Sequence, residues 1–120
     1  MKNMRYKLLN YNIVLDKKTN LEWLALPDID TDHYEAEEHI KQLGNNWKLP
    51  SLKELRTLYQ KGLGIYNRTD LLKCSKYWVW SSELYVSSLA WGFVFDDGDP
   101  LSARRGHSNG YRVFAVRSRR

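Results

Sequence analysis

From Tyr77 to Arg117, aromatic and β-branched residues come in short runs separated by Gly, Asp, Ser and Pro. Such side chains suit a pleated, half-buried surface, and runs of this length bounded by turn formers read as antiparallel strands. The pattern predicts strands over Tyr77–Ser82, Leu89–Phe95, Leu101–Arg105 and Tyr111–Ser118. Asp96-Asp97-Gly98-Asp99-Pro100 is the turn between the second and third, since Gly98 accepts a positive φ and Pro100 is tolerated at a strand start. Alternation puts Trp78 and Trp80 on one face, as core residues, with Tyr77 and Val79 on the other. Earlier in the chain, Asn12–Leu15 and Leu21–Leu26 form a hairpin across Asp16–Asn20, with Trp23 in the core.

Between these strand regions the period changes. Asp32 followed by Glu35 makes a capping box for a helix over His33–Leu43, which Gly44 and Asn45 stop. Tyr34, Ala36, Ile40 and Leu43 are expected on its buried side. Ser51 and Glu54 repeat the box, after a Leu49 that Pro50 holds extended. The second helix is expected over Leu52–Lys61, burying Leu52, Leu55, Leu58 and Tyr59 before Gly62 and Gly64. Ile65–Lys76 reads as a loop holding Cys74 as a buried or incidental thiol rather than a nucleophile. The expected fold class is α+β, a single domain over residues 1–120, with two helices packed on a mainly antiparallel, aromatic-rich sheet.

Composition narrows the function classes. The 120-residue chain has no apolar run near the ~20 residues that span a bilayer. One cysteine excludes an internal disulfide and a cysteine zinc cluster. With no secretory pattern at the N-terminus, the expected location is cytoplasmic, or the host cytoplasm for a phage-encoded protein, with no membrane partner. Net charge is +5; residues 1–60 carry nine basic and nine acidic residues, residues 61–120 ten and five. A basic patch is therefore expected in the aromatic half, able to attract a polyanion.

Catalytic patterns do not emerge. No Ser-His-Asp order, phosphate loop or His-Glu metal motif is present, His107 has no identifiable partner, and no catalytic residue, metal site or cofactor is expected. Asp28, Asp30 and Asp32 alternate as calcium ligands would. They lack the turn glycine and the twelfth-position glutamate of a calcium loop, and favourable charge at a helix N-terminus accounts for them. Asp96, Asp97 and Asp99 are explained more simply by a hairpin turn than by calcium. Arg112 and Arg117 flank apolar residues in the last strand, and one of the two is expected to form a semi-buried structural ion pair rather than to bind a ligand.

Several blocks together are familiar: Asp16–Trp23 (DKKTNLEW), Trp47–Leu55 (WKLPSLKEL), Tyr77–Ser82 (YWVWSS), Ala90-Trp91 with Phe93 and Phe95, and Tyr111-Arg112-Val113 with Val116-Arg117. In this order they resemble the bacterial and phage domain family found at the C-terminus of a collagen-like adhesin, formerly a domain of unknown function. The resemblance implies a C-type-lectin-like fold, related to the formylglycine-generating-enzyme fold and to phage variable domains. Those share a closing element seen here as Gly110-Tyr111-Arg112-Val113. It further implies a ligand surface built from the late loops and strands, here Trp91, Asp96, Asp97, Asp99, Arg104, Arg105, His107, Ser108 and Asn109. Arginine offers bidentate donors to anionic groups, and aromatic residues offer rigid contact area. The function expected is a non-catalytic recognition module for an intracellular protein or nucleoprotein, in one version a phage or mobile-element inhibitor of a host system. The alternative is an adhesin-like module binding a polyanion, glycan or nucleic acid; self-association is left open.

Overall fold

The structure, a computed structural model, describes residues 5–119. Eight strands form two sheets, and two helices cover them. In chain order the elements are β1 (Tyr6–Leu8), a one-turn 3-10 helix (Asn10–Asn12), β2 (Val14–Asp16), β3 (Leu21–Ala25), α1 (His33–Leu43), α2 (Leu52–Leu58), β4 (Trp78–Val86), β5 (Leu89–Val94), β6 (Asp99–Arg104), β7 (Tyr111–Arg112) and β8 (Phe114–Ser118). The first sheet has the order β1-β2-β3-β8 and the second β6-β5-β4-β7. The fold is α+β, as expected, but the single sheet expected of the last third is two.

The reason lies in the final strand. Tyr111–Ser118 reads as one run, yet it breaks at Val113. Tyr111 and Arg112 pair parallel with Trp78 and Val79, whereas Phe114–Ser118 pairs antiparallel with Leu21–Ala25. Val113 sits at the crossing, where its carbonyl accepts from the Leu26 N–H at 3.0 Å. The chain thereby closes the N-terminal hairpin and the aromatic sheet into one body. Lys48 adds a bridge on the far side of β8, exchanging two backbone bonds with Val116.

Both faces of the second sheet are packed near its centre, so alternation along β4 does not separate core from solvent. Val79, Phe93 and Phe95 enter one cluster with Val14, Trp23, Leu55, Leu58 and Phe114. Trp80, Ala90 and Tyr111 enter another with Ala36, Ile40 and Ala115. Trp78 departs from expectation: it lies 37% exposed at the rim, tilted against Tyr111 at 5.4 Å, while Val79 is fully buried. Trp80 stacks on Tyr111 at 4.1 Å and 16°. That stack lies over Gly92, where a Cβ would meet Tyr111 Cε1 at 2.9 Å.

Both capping boxes are present as read. However, α2 stops at Leu58, not Lys61, because Tyr59 turns extended (φ −66°, ψ 126°) and lays its ring against Phe93 and Gly98. On α1, Ala36 and Ile40 are buried but Tyr34 is half exposed, and the fully buried residue of the first turn is His33. The guanidinium of Arg68 is also buried. It donates to the Cys74 and Lys76 carbonyls and lies over the rings of Tyr66, Phe95 and Phe114, whose negative π faces stand in for a carboxylate. Burial pushes the neighbouring Cys74 thiol upward in pKa, keeping it protonated.

Candidate functional site

The loop leaving β6 carries most of the residues singled out in the sequence, and long-range polar contacts hold it in place. Arg105 is central. Its Nε donates to His33 Nδ1 at 3.1 Å, one Nη donates to Glu37 Oε1 at 2.6 Å, and its guanidinium lies 4.3 Å over the Tyr34 ring. Its carbonyl accepts the first N–H of α1, that of His33. His33 Nε2 lies 2.9 Å from the Ser81 carbonyl, so the neutral ring donates there and accepts from Arg105. Desolvation depresses the His33 pKa and the Arg105 charge adds to this, against pulls from the Ser81 carbonyl, Glu37 and Asp32. Arg105 is thus a structural clamp between α1 and the loop, rather than a free cation.

A second clamp fixes the loop's other end. Arg112 donates to Asp28 Oδ1 at 2.7 Å and Asp30 Oδ1 at 2.6 Å, and the Gly110 N–H also reaches Asp30. Burial favours protonation of Asp28, but its hydrogen bonds from Arg112 and Ser75 outweigh that and hold its carboxyl below the usual range. Asp32 caps α1. The alternating aspartates are therefore engaged with an arginine and a helix end. Among the described residues no group of three His, Cys, Asp or Glu side chains is placed to hold a metal ion. Arg117 is paired likewise, to Glu22 at 2.8 Å and over the Trp47 ring at 4.0 Å. With Arg68 buried and Arg105, Arg112 and Arg117 bound internally, four of the cations that gave the aromatic half its charge excess are engaged within the fold.

The nine expected ligand residues do not form one surface. Register places Trp91 and Arg104 on the same face of the second sheet, because Arg104 opposes Leu89, two residues from Trp91. α2 covers the inner part of that face at Phe93, and the outer part is left open. There Tyr85, 60% exposed, meets the Trp91 ring edge-on at 5.3 Å, and Val86 is half exposed. Around the end of β6, Arg104, Arg105 and His107 line a cleft of about 820 Å³ with Tyr34, Ser88 and Leu89. Asp96 and Asn109 meet elsewhere, in a cleft of about 340 Å³ beside Tyr77 and Trp78. Asp97 and Ser108 serve the backbone: Asp97 Oδ1 accepts from Asp99 N at 3.1 Å, and the Ser108 carbonyl accepts from Tyr111 N. Asp99 opens β6 opposite Val94.

Tyr85 and Tyr34 were missed in the sequence. Tyr85 follows the run read as a strand, and β4 extends through it to Val86. Tyr34 was assigned to the core by helical spacing alone.

Two sheets cross-linked by a split final strand, two box-capped helices and an arginine-clamped late loop define a small α+β domain with an open aromatic face. Comparison with protein-family models matches residues 12–117 to the Lcl C-terminal domain, and the chain belongs to that family. No curated protein matches it.

Proposed function

We propose that this domain is a non-catalytic recognition module, of C-type-lectin-like kinship, that binds an intracellular protein or nucleoprotein through the outer part of the β4–β6 face. The observation that carries this reading is the grouping of Tyr85, Trp91 and Arg104 on one open face, beside the cleft that Tyr34 and His107 line. Tryptophan, tyrosine and arginine are the residues that most often dominate protein interfaces, the two aromatics because they bury much area for little lost side-chain entropy and arginine because its planar fork donates several hydrogen bonds at once. Leu84, Tyr85 and Val86 are each 45–60% exposed, an apolar strand end that a partner would cover.

The test is retention of a stoichiometric protein from host lysate by the tagged domain, beside Arg104→Glu and Trp91→Ala variants whose melting curves match the parent. Loss of the partner in both variants supports the reading, and loss of the partner's activity on binding makes the domain an inhibitor. Retention by both variants sinks it.

A second reading rests on the Trp78 cleft. An exposed indole face flanked by the Asp96 carboxylate and the Asn109 amide suits a glycan ring, with stacking and hydroxyl hydrogen bonds. Glycan-array binding lost in Trp78→Ala but kept in Trp91→Ala would favour this reading over the first.

A further inference from the structure

The most unusual backbone lies far from that face, in the 3-10 turn after β1. Tyr11 and Asn12 both have positive φ, 60° and 63°. A bulky residue is seldom found there, and such strain is held only where surrounding structure enforces it. Here the Leu9 N–H bonds to the Ile13 carbonyl at 2.6 Å and closes the turn. The result is a Tyr11 side chain 89% exposed, which buries almost nothing in return.

What surrounds Tyr11 is cationic. Two clefts of about 550 and 430 Å³ adjoin across the outward face of the first sheet, where register sets Lys7, Glu22 and Arg117 in one row, and they share Glu22, Arg117 and Arg119. Lys7 and Tyr11 line one, and Lys48 lines the other. Lys7, Lys48, Arg117 and Arg119 thus border the trough, and Glu22 is the carboxylate among its lining residues. Glu22 is already engaged, accepting from Arg117 Nε at 2.8 Å and Arg119 Nη1 at 3.4 Å. Lys48 contacts Glu54 at 3.4 Å, with its side chain 60% exposed. Lys7 and Tyr11 precede the span matched to the family, so the complete trough is not part of what the match covers.

We propose that this trough is a binding surface for single-stranded nucleic acid, with Tyr11 as a base-stacking platform and Lys7, Lys48 and Arg119 as phosphate contacts. A basic groove interleaved with an exposed aromatic ring is the arrangement that binds single strands with little sequence preference. Cations alone would serve any polyanion; the strained, solvent-facing Tyr11 selects a ligand that has a π face to offer. The surface is independent of the β4–β6 face.

The test is fluorescence anisotropy with a labelled oligothymidine of roughly 12 nucleotides, within the usual site sizes, against a blunt duplex and a heparin oligosaccharide. The expected result is preferential single-strand binding that weakens from about 50 to about 200 mM salt. The log–log slope should be about −2 to −3, since each contacted phosphate contributes roughly 0.7. Tyr11→Ala should lose roughly tenfold in affinity, from stacking, Tyr11→Phe should keep it, and Lys7→Gln/Lys48→Gln, which removes both charges without setting a carboxylate against Glu54, should abolish binding while the protein still melts cooperatively. Absence of single-strand binding at the lower salt overturns the proposal. So does equal binding of all three ligands with no dependence on Tyr11, which would mark a plain cationic surface.

Discussion

Arg105 donates its Nε–H to the Nδ1 of His33, 72 residues earlier in the chain, at 3.1 Å. A cation donating to a fully buried imidazole requires that ring to be neutral. Protonation would remove the acceptor and set two positive charges side by side, with only Glu37 and Asp32 nearby to compensate.

The consequence is a stability that depends on pH. The unfolded histidine titrates near 6.5 and the folded one below it, first from desolvation and then from Arg105. The unfolded state therefore binds more protons in that window. Stability is complete above about pH 6.5 and falls below it, by at most about 1.4 kcal/mol per pH unit for one group. Urea melts between pH 7.5 and 5, shown on either side of about 6.5, should follow this trend. His33→Gln should be less stable at the upper end and flatter across the range; a parent protein with no slope there would contradict the account.

Asp16 works in a lower window. Its buried carboxylate accepts from Arg5 twice at 2.8 Å, from Thr19 Oγ1 and from the Lys18 N–H, while Arg5 reaches on to the Thr57 carbonyl in the last turn of α2. Burial alone would raise its pKa, but the hydrogen bonds from Arg5, Thr19 and Lys18 outweigh it and the net shift is downward. Its contribution is therefore present above its ordinary value of 3.8 and lost as pH falls through the folded value. Asp16→Asn keeps the shape and removes the charge. Its expected cost is about 2–3 kcal/mol at neutral pH, read by denaturant titration.

These contacts mark the boundary of what could be read along the chain. Both capping boxes were legible, because Asp32 with Glu35 and Ser51 with Glu54 act within one helical turn. So were the β2–β3 hairpin and the pairing of β5 with β6 across the turn read at Asp96–Pro100, although Asp99 and Pro100 already pair in β6. The burial of His33 was not legible: its reason is Ser81 and Arg105, which chain order does not place near it. The break at Val113 was hidden for a similar cause, since each half of Tyr111–Ser118 is strand-like and only the competing partners, Trp78 and Leu24, divide them. β1 is three residues long, too short to carry a period. At the candidate site, Trp91 and Arg104 proved to share a face because strand register is local. Asp96 separated from them because it lies in the β5–β6 turn, at the opposite end of the hairpin from the Leu89–Arg104 pair, and there it shares a cleft with Asn109.

Gly92 tests the central stack. A methyl there would lie 2.9 Å from Tyr111 Cε1 and 3.2 Å from the Val79 carbonyl. The Tyr111 ring is held in place by Trp80, which stacks on it at 4.1 Å, and by Trp78 at 5.4 Å. Gly92→Ala should destabilise by about 1–3 kcal/mol, the usual penalty for overpacking. Shortening the obstructing ring should relieve part of that penalty, so Gly92→Ala/Tyr111→Leu should cost less than its two single changes added. Strict additivity in thermal melts would show that Tyr111 is not what excludes the methyl.

Arg104 and Arg105 are neighbours with opposite roles, and charge reversal separates them. Arg104 is exposed and ends β6 on the open face with Trp91; Arg105 is clamped to His33, Glu37 and Tyr34. Arg104→Glu should change stability by no more than about 0.5 kcal/mol, the range of surface substitutions. Arg105→Glu would set a carboxylate against Glu37 and strip His33 of its donor, for an expected loss of about 2–3 kcal/mol. Arg105→Lys should recover the Glu37 pairing in part, but not the forked geometry that reaches both partners. Denaturant melts of the three variants check this ranking. It also decides how binding data are to be interpreted, because a partner lost only in Arg105→Glu has lost the loop, whereas one lost in Arg104→Glu has lost a contact.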